Sequence, residues 1–304
     1  MRGTILPLLG LLAAAPVPVV AQQADEAPPP VLVVNREQVK PGKMSAHEKV
    51  SAAYTALFSK AAPEVAWLGL TPIAGDDNVV LFLAGYPSFA AAEAEHIKIE
   101  GALAQNVAYK TEMDRLDGQS GDMRNSSHTA WFVYRPALSY HPPKMADVAR
   151  SRLVSISTVH VKPGRIPDFL DWYKGLNAAR DKASATWVNT ACYQSSMGTA
   201  GGTFVFFSFS KAMNELDEAN AKSDERQKAV DAALGGDQVV KMRRELISEV
   251  LTEPVTTNLY AMNKSESHPS AQFVAADPDF WSPKPAGPAS KALASKKEAP
   301  ATKP

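Results

Sequence analysis

Cysteine is almost missing from this chain: Cys192 stands alone, so no intrachain disulfide can form. It lies in an apolar, strand-like run and reads as a small core residue rather than a nucleophile. An excess of charge of one sign is missing too. Lysine plus arginine and aspartate plus glutamate number 32 each, which leaves no basic field to draw nucleic acid, and nucleic acid is set aside as a partner. The Gly-x-Ser-x-Gly elbow, the P-loop and the Gly-x-Gly-x-x-Gly fingerprint are absent, which removes support for hydrolase, NTPase and dinucleotide readings. His47, His96, His128, His141, His160 and His268 are scattered, with no His-x-x-x-His pair and no Cys-x-x-Cys. No metal site is written in that spacing, and no cofactor is expected.

Long apolar runs are also lacking, except at the start. Arg2 precedes a run from Ile5 to Val20 that ends at Ala21, the order of a secretory signal peptide cut after Ala21. Pro7, Pro16 and Pro18 interrupt it, and it falls short of the roughly 20 residues of a spanning helix. Residues 1–21 are therefore expected to be a signal peptide and 22–30 a disordered linker, with the mature protein periplasmic or extracellular and without a membrane span. No cysteine follows the cut to carry a lipid.

What is present is a repeat. Val31–Val39 is β-rich and stops at Lys40-Pro41-Gly42-Lys43; Leu153–Val161 is β-rich and stops at Lys162-Pro163-Gly164-Arg165. Proline removes a ladder donor and glycine allows positive φ, so each strand must end there. After the turns, Val50, Tyr54, Leu57 and Phe58, and then Ile166, Phe169, Leu170, Tyr173 and Leu176, recur at helical spacing. Two further β-runs follow in each copy, Val65–Leu70 and Val79–Leu83, and Trp187–Tyr193 and Phe204–Phe209, joined by glycine-bearing loops. A long helix, Ser88 to about Asp117 and Ala212 to about Leu251, and a last strand, Thr129–Tyr134 and Thr257–Met262, close each copy. The order β-α-β-β-α-β, met twice, predicts an α+β chain of two tandem ferredoxin-like repeats, 31–135 and 153–263, packed sheet to sheet as an internal pseudo-dimer. Residues 136–152 read as a linker. From Lys264 proline, alanine, serine and lysine take over, so 264–304 reads as a disordered tail, with Phe273 and Phe280-Trp281 expected to dock back on the domain.

In element order, and in the shared Val-Lys-Pro-Gly-Lys/Arg turn, residues Val31 to Asn263 resemble the dimeric α+β barrel superfamily. That group includes antibiotic-biosynthesis-type and heme-degrading monooxygenases. The resemblance implies a barrel closed by two sheets and places Asn35 where heme-degrading members carry a polar asparagine. Their tryptophan at the end of the third strand has no counterpart at Leu83-Ala84, and His96 is displaced from the expected helix position, so heme is not carried over.

The candidate ligand-binding residues are Asn35, Glu37, Trp67, His96, His160, Asn189 and Tyr193. Alternation sends Asn35 and Glu37 to one face of their strand. If that face looks into the space between the sheets, with Trp67, Asn189 and Tyr193 near it, the group lines an apolar pocket with a few polar atoms. If it lies on the rim, it only solvates an edge. With no catalytic constellation in the sequence, the expected function is non-catalytic binding of a small hydrophobic molecule or a partner. The alternative is a cofactor-independent, monooxygenase-like enzyme acting on a small aromatic substrate.

Overall fold

A computed structural model describes residues 27–236 and 243–282. The expected signal peptide and the last 22 residues fall outside that range.

Eight strands close into one antiparallel barrel: β1 (Val31–Val39), β2 (Trp67–Ala74), β3 (Val79–Tyr86), β4 (Arg124–Tyr134), β5 (Leu153–His160), β6 (Ala191–Met197), β7 (Thr203–Ser210) and β8 (Thr256–His268). Around the ring the order is β1-β3-β2-β8-β5-β7-β6-β4. Strands β4-β1-β3-β2 thus form one half and β8-β5-β7-β6 the other, joined at the β2–β8 and β4–β6 seams. Gly42 (φ +76°) and Gly164 (φ +80°) supply the left-handed residue at the turns that end β1 and β5.

Each strand alternates. Leu32, Leu70, Leu83, Phe132, Val154, Tyr193, Phe207 and Met262 point into the barrel and form its core. The opposite faces are covered by helices: α1 (Met44–Ala61), α2 (Phe89–Gln105) and α3 (Val107–Met123) over the first half, and α5 (Ile166–Lys182), α6 (Met213–Ala221) and α7 (Ser223–Leu234) over the second. A short α4 (Met145–Ala149) lies between the halves.

Several expectations are corrected. The long helix of the first half is two helices, because the Asn106 side chain accepts hydrogen bonds from the Ala108 and Tyr109 amides and starts α3 afresh. The helical stretch of the second half is divided likewise, ending in a π-turn at Leu246–Val250. The strand expected at Trp187 begins only at Ala191; Trp187 instead packs under the Arg226 guanidinium, whose carbon lies 5.4 Å from the ring centroid. Residues 136–152, which connect the two halves, are packed against the barrel: Leu138, Tyr140, Val148 and Ala149 are buried.

The largest change is past Lys264. β8 runs on to His268, and two short helices, Ala271–Ala276 and Pro278–Trp281, pack against the barrel core. Phe273 and Trp281 are buried, the Trp281 Nε1 donates to the Ala149 carbonyl at 2.9 Å, and Arg152 lies 3.8 Å over the Phe280 ring and pairs with Asp277. A few aromatic anchors outweigh the polar composition around them. Replacing Trp281 by Ala is expected to cost about 3 kcal/mol in urea-induced unfolding, as other buried large-to-small changes do. A loss below about 0.5 kcal/mol, the size of an ordinary surface change, would mean that the segment does not belong to the cooperative unit.

Candidate functional site

The outer face of the first half is not filled as that of the second is. In the second half Phe169, Tyr173, Phe204 and Phe206 stack between sheet and helices, with Phe169 and Phe204 rings 4.7 Å apart and Tyr173 and Phe206 4.8 Å apart. Under α1, α2 and α3 the buried apolar cluster is only Val50, Leu57 and Leu116, and beside it opens a cleft of about 420 Å³. Aligning the halves on their shared Lys-Pro-Gly turns places Glu37, His47, Ser51 and Tyr54 opposite Val159, Phe169, Tyr173 and Leu176. The same four positions are polar in one half and core-forming in the other.

Those polar residues form a network. The His47 ring is buried between two carboxylates: its Nε2 lies 2.8 Å from Glu37 Oε2 and its Nδ1 3.1 Å from Glu266 Oε1. Burial by itself would lower the His47 pKa, but the hydrogen bonds and negative charge of Glu266 and Glu37 outweigh it and raise the value to about 9. At neutral pH the ring is therefore an imidazolium that donates from both nitrogens. The Arg124 guanidinium, at the junction of α3 and β4, pairs with the other oxygen of Glu37.

Glu266 reaches the network because β8 bulges. Across the seam Trp67 pairs with His268 and Gly69 with Asn263, so four residues of β8 loop out opposite a single residue of β2. The Asn263 carbonyl accepts from the Ser267 hydroxyl, and the Gly69 amide donates to that same hydroxyl oxygen at 2.9 Å. A Cβ on Gly69 would stand 2.7 Å from the Glu266 Cβ, so only glycine lets the bulge lie against β2. The Trp67 Nε1 donates to the Glu266 carbonyl at 2.8 Å.

Around this floor the cleft is partly aromatic, with Phe58, Trp67 and Phe82, and it carries two phenol–carboxylate pairs. The Tyr54 hydroxyl donates to Asp117 at 2.6 Å and the Tyr86 hydroxyl to Glu95 at 2.8 Å. Burial, followed by those carboxylates, holds both phenols above their usual range, so both stay neutral. Burial also raises the Glu95 carboxyl. The Asn35 amide donates to Thr129 Oγ1 at 3.0 Å and borders the same space.

Of the seven sequence candidates, Asn35, Glu37 and Trp67 meet in the cleft. They do so on the helix side of the sheet, not in the space between the sheets, because odd-numbered residues of β1 face outward. His96 is on α2 with its side chain 72% exposed, paired to Glu100 and away from the cleft lining. His160 belongs to the other half, hydrogen-bonded to Thr203 at 3.0 Å. Asn189 is exposed in the loop before β6, and Tyr193 points into the barrel. Sequence reasoning missed His47, although it shares a helical face with Val50 and Tyr54, and missed Glu266, which lay in the expected tail. Among the described residues, no group of three or more His, Cys, Asp or Glu side chains is placed to hold a metal ion.

No protein-family model matches the chain, and no curated protein matches it. Among solved structures it is similar to an anthrone oxidase-like protein at 14% identity and TM-score 0.48, over 79% of this chain and 93% of that one. It is also similar to a chlorite dismutase mutant from Candidatus Nitrospira defluvii in complex with cyanide, at 10% identity and TM-score 0.45, over 78% and 92% of the two chains. At such identities and scores these likenesses assign no residue and no activity.

The folded pKa of His47 lies above its ordinary 6.5, so the stability it contributes is fully present below about pH 6.5 and is lost as pH rises through about 9. The urea midpoint is expected to fall across that window, and the fall is expected to shrink in the His47→Gln variant. An equal pH slope in the two proteins would refute the doubly paired imidazolium.

Proposed function

We propose that the chain binds a small, largely aromatic molecule with an oxygen substituent in the cleft between the first half's sheet and its helices. The observation that carries this reading is the contrast between halves. One keeps about 420 Å³ of open space floored by Asn35, Glu37 and Arg124, and the other fills the matching space with aromatic side chains. That volume lies within the usual range of small-molecule sites, as does the combination of an apolar wall with a few fixed polar groups. Asn35 and Arg124 would meet the ligand's oxygen; Phe58, Trp67 and Phe82 would meet its ring.

In this reading each half is a ferredoxin-like repeat and the chain is a monomer with an internal pseudo-dimer. The strand orders β4-β1-β3-β2 and β8-β5-β7-β6 support it. The protein is exported, as the basic, apolar and small-residue order of its first 21 residues supports. Cofactor-independent oxygenation of a small aromatic substrate is the alternative use of the same cleft. Asn35 and Trp67 favour it by lining the space, while His96, which it also invoked, points to solvent.

Titrating the full chain with 2-naphthol and following tryptophan fluorescence tests the binding reading. Quenching is expected to saturate, to weaken about tenfold in Asn35→Ala as a fixed hydrogen bond is lost, and to vanish in Ile99→Trp, a position on α2 that lines the cleft and that the larger side chain would fill. Saturable binding that survives Ile99→Trp would sink the reading. Dioxygen uptake with the same compound, abolished by Asn35→Ala, would turn the decision to the oxygenase.

A further inference from the structure

The barrel interior holds a second space. Between Leu32, Leu70, Leu83, Val154, Tyr193 and Phe207 lies a cavity of about 110 Å³, separated from the helix-side cleft by the sheet and touching it at the Ala66-Trp67 corner. One end is lined by residues outside the strands, Pro28-Pro29, Pro143, Met145 and Phe273.

Its lining is mainly apolar; Ser270 also brings a hydroxyl, whose oxygen accepts from the Phe273 amide at 3.3 Å, and Tyr193 is the informative exception. The residue is 3% exposed, its ring sits edge-on to Phe207 at 5.8 Å and tilted against Tyr134 at 5.4 Å, and it borders the cavity. Among the described residues its hydroxyl makes no hydrogen bond. Burial drives its acidity well below that of an ordinary phenol, so the group is a neutral donor and acceptor. A hydroxyl that the protein leaves free in a mainly apolar chamber offers a guest's polar atom its hydrogen bond.

We propose that the barrel interior is a second ligand site, for a single-ring apolar molecule whose one oxygen pairs with the Tyr193 hydroxyl. The size sets the limit: a dry cavity of about 150 Å³ lined by aliphatic and aromatic side chains takes up benzene, and this one, at about 110 Å³, admits a single ring only as its lining gives way. The selectivity follows from the chamber. Charged molecules are excluded by apolar walls, two-ring molecules by volume, and an oxygen-bearing ring is preferred to a bare one by the single free hydroxyl.

The full chain titrated calorimetrically with phenol, and with benzene as the bare-ring control, tests this. Phenol is expected to bind in the wild type and in the cleft-filled Ile99→Trp variant, and to be lost in Ala191→Phe, where Ala191 at the start of β6 also lines the cavity. Tyr193→Phe is expected to weaken phenol about fivefold, the worth of one ordinary hydrogen bond, and to leave benzene unchanged. Should Ala191→Phe fail to fold by circular dichroism, the phenol-to-benzene ratio in Tyr193→Phe decides alone. An unchanged ratio, or no uptake of either probe, overturns the proposal. Phenol binding lost in Ile99→Trp and kept in Ala191→Phe also overturns it, while leaving the cleft as the ligand site.

Discussion

The interaction on which the rest of the structure turns is the buried contact of His47 with Glu37 and Glu266. Its three members come from α1, β1 and the bulge of β8, so one imidazolium ties a helix to its own sheet and the first half to the second. Removing charges from water costs several kcal/mol for each ion, and an arrangement of this kind stands only if each is paired and hydrogen-bonded. Here the pairing is complete. His47 serves both carboxylates, Arg124 serves the remaining oxygen of Glu37, and Asn263 donates to the other oxygen of Glu266. The β2–β8 seam must bulge for this to happen, and Gly69 must lack a side chain for the bulge to fit.

The cleft is a consequence of the same polar choice. Where the second half uses Phe169 and Tyr173 to fill the space beneath its helix, the first half places His47 and Ser51, and smaller or polar side chains leave volume behind. Such a local departure from core-forming sequence is what a functional site looks like when the remaining levels of the fold agree with one another. The second half carries the packing, and the first half gives up part of it.

The barrel interior follows a different rule. Its walls are the inward residues of all eight strands, with the segment that ends at Trp281 packed against them from outside the strands. Two apolar sheet faces satisfy each other without further help, yet here they leave space beside the Tyr193 hydroxyl. The chain thus holds two chambers of opposite character on either side of one sheet: one polar-floored and beside helices, the other mainly apolar and inside the barrel.

Much of the architecture was legible because it rests on local physics. Pro41-Gly42 and Pro163-Gly164 can only end strands, the alternation of β1 and β5 can only make two-faced strands, and the spacing from Val50 to Phe58 can only make one helical face. These features determined the order of elements and, with Asn35, Glu37 and Trp67, three residues of the cleft. Other features depend on partners distant in sequence. Whether Asn35 looks toward helices or toward the other sheet depends on which face the barrel encloses, and the sequence of β1 is the same for both. Glu266 sits in a stretch whose composition alone predicts disorder, and it is ordered because it meets His47 more than two hundred residues away. The sequence by itself determined the strands, the turns and the α+β order, since those follow from each residue's own backbone and its near neighbours. Only the tertiary structure decided where the charges pair, which half stays open and what closes the barrel, because burial and ion pairing are properties of residues that the chain brings together last.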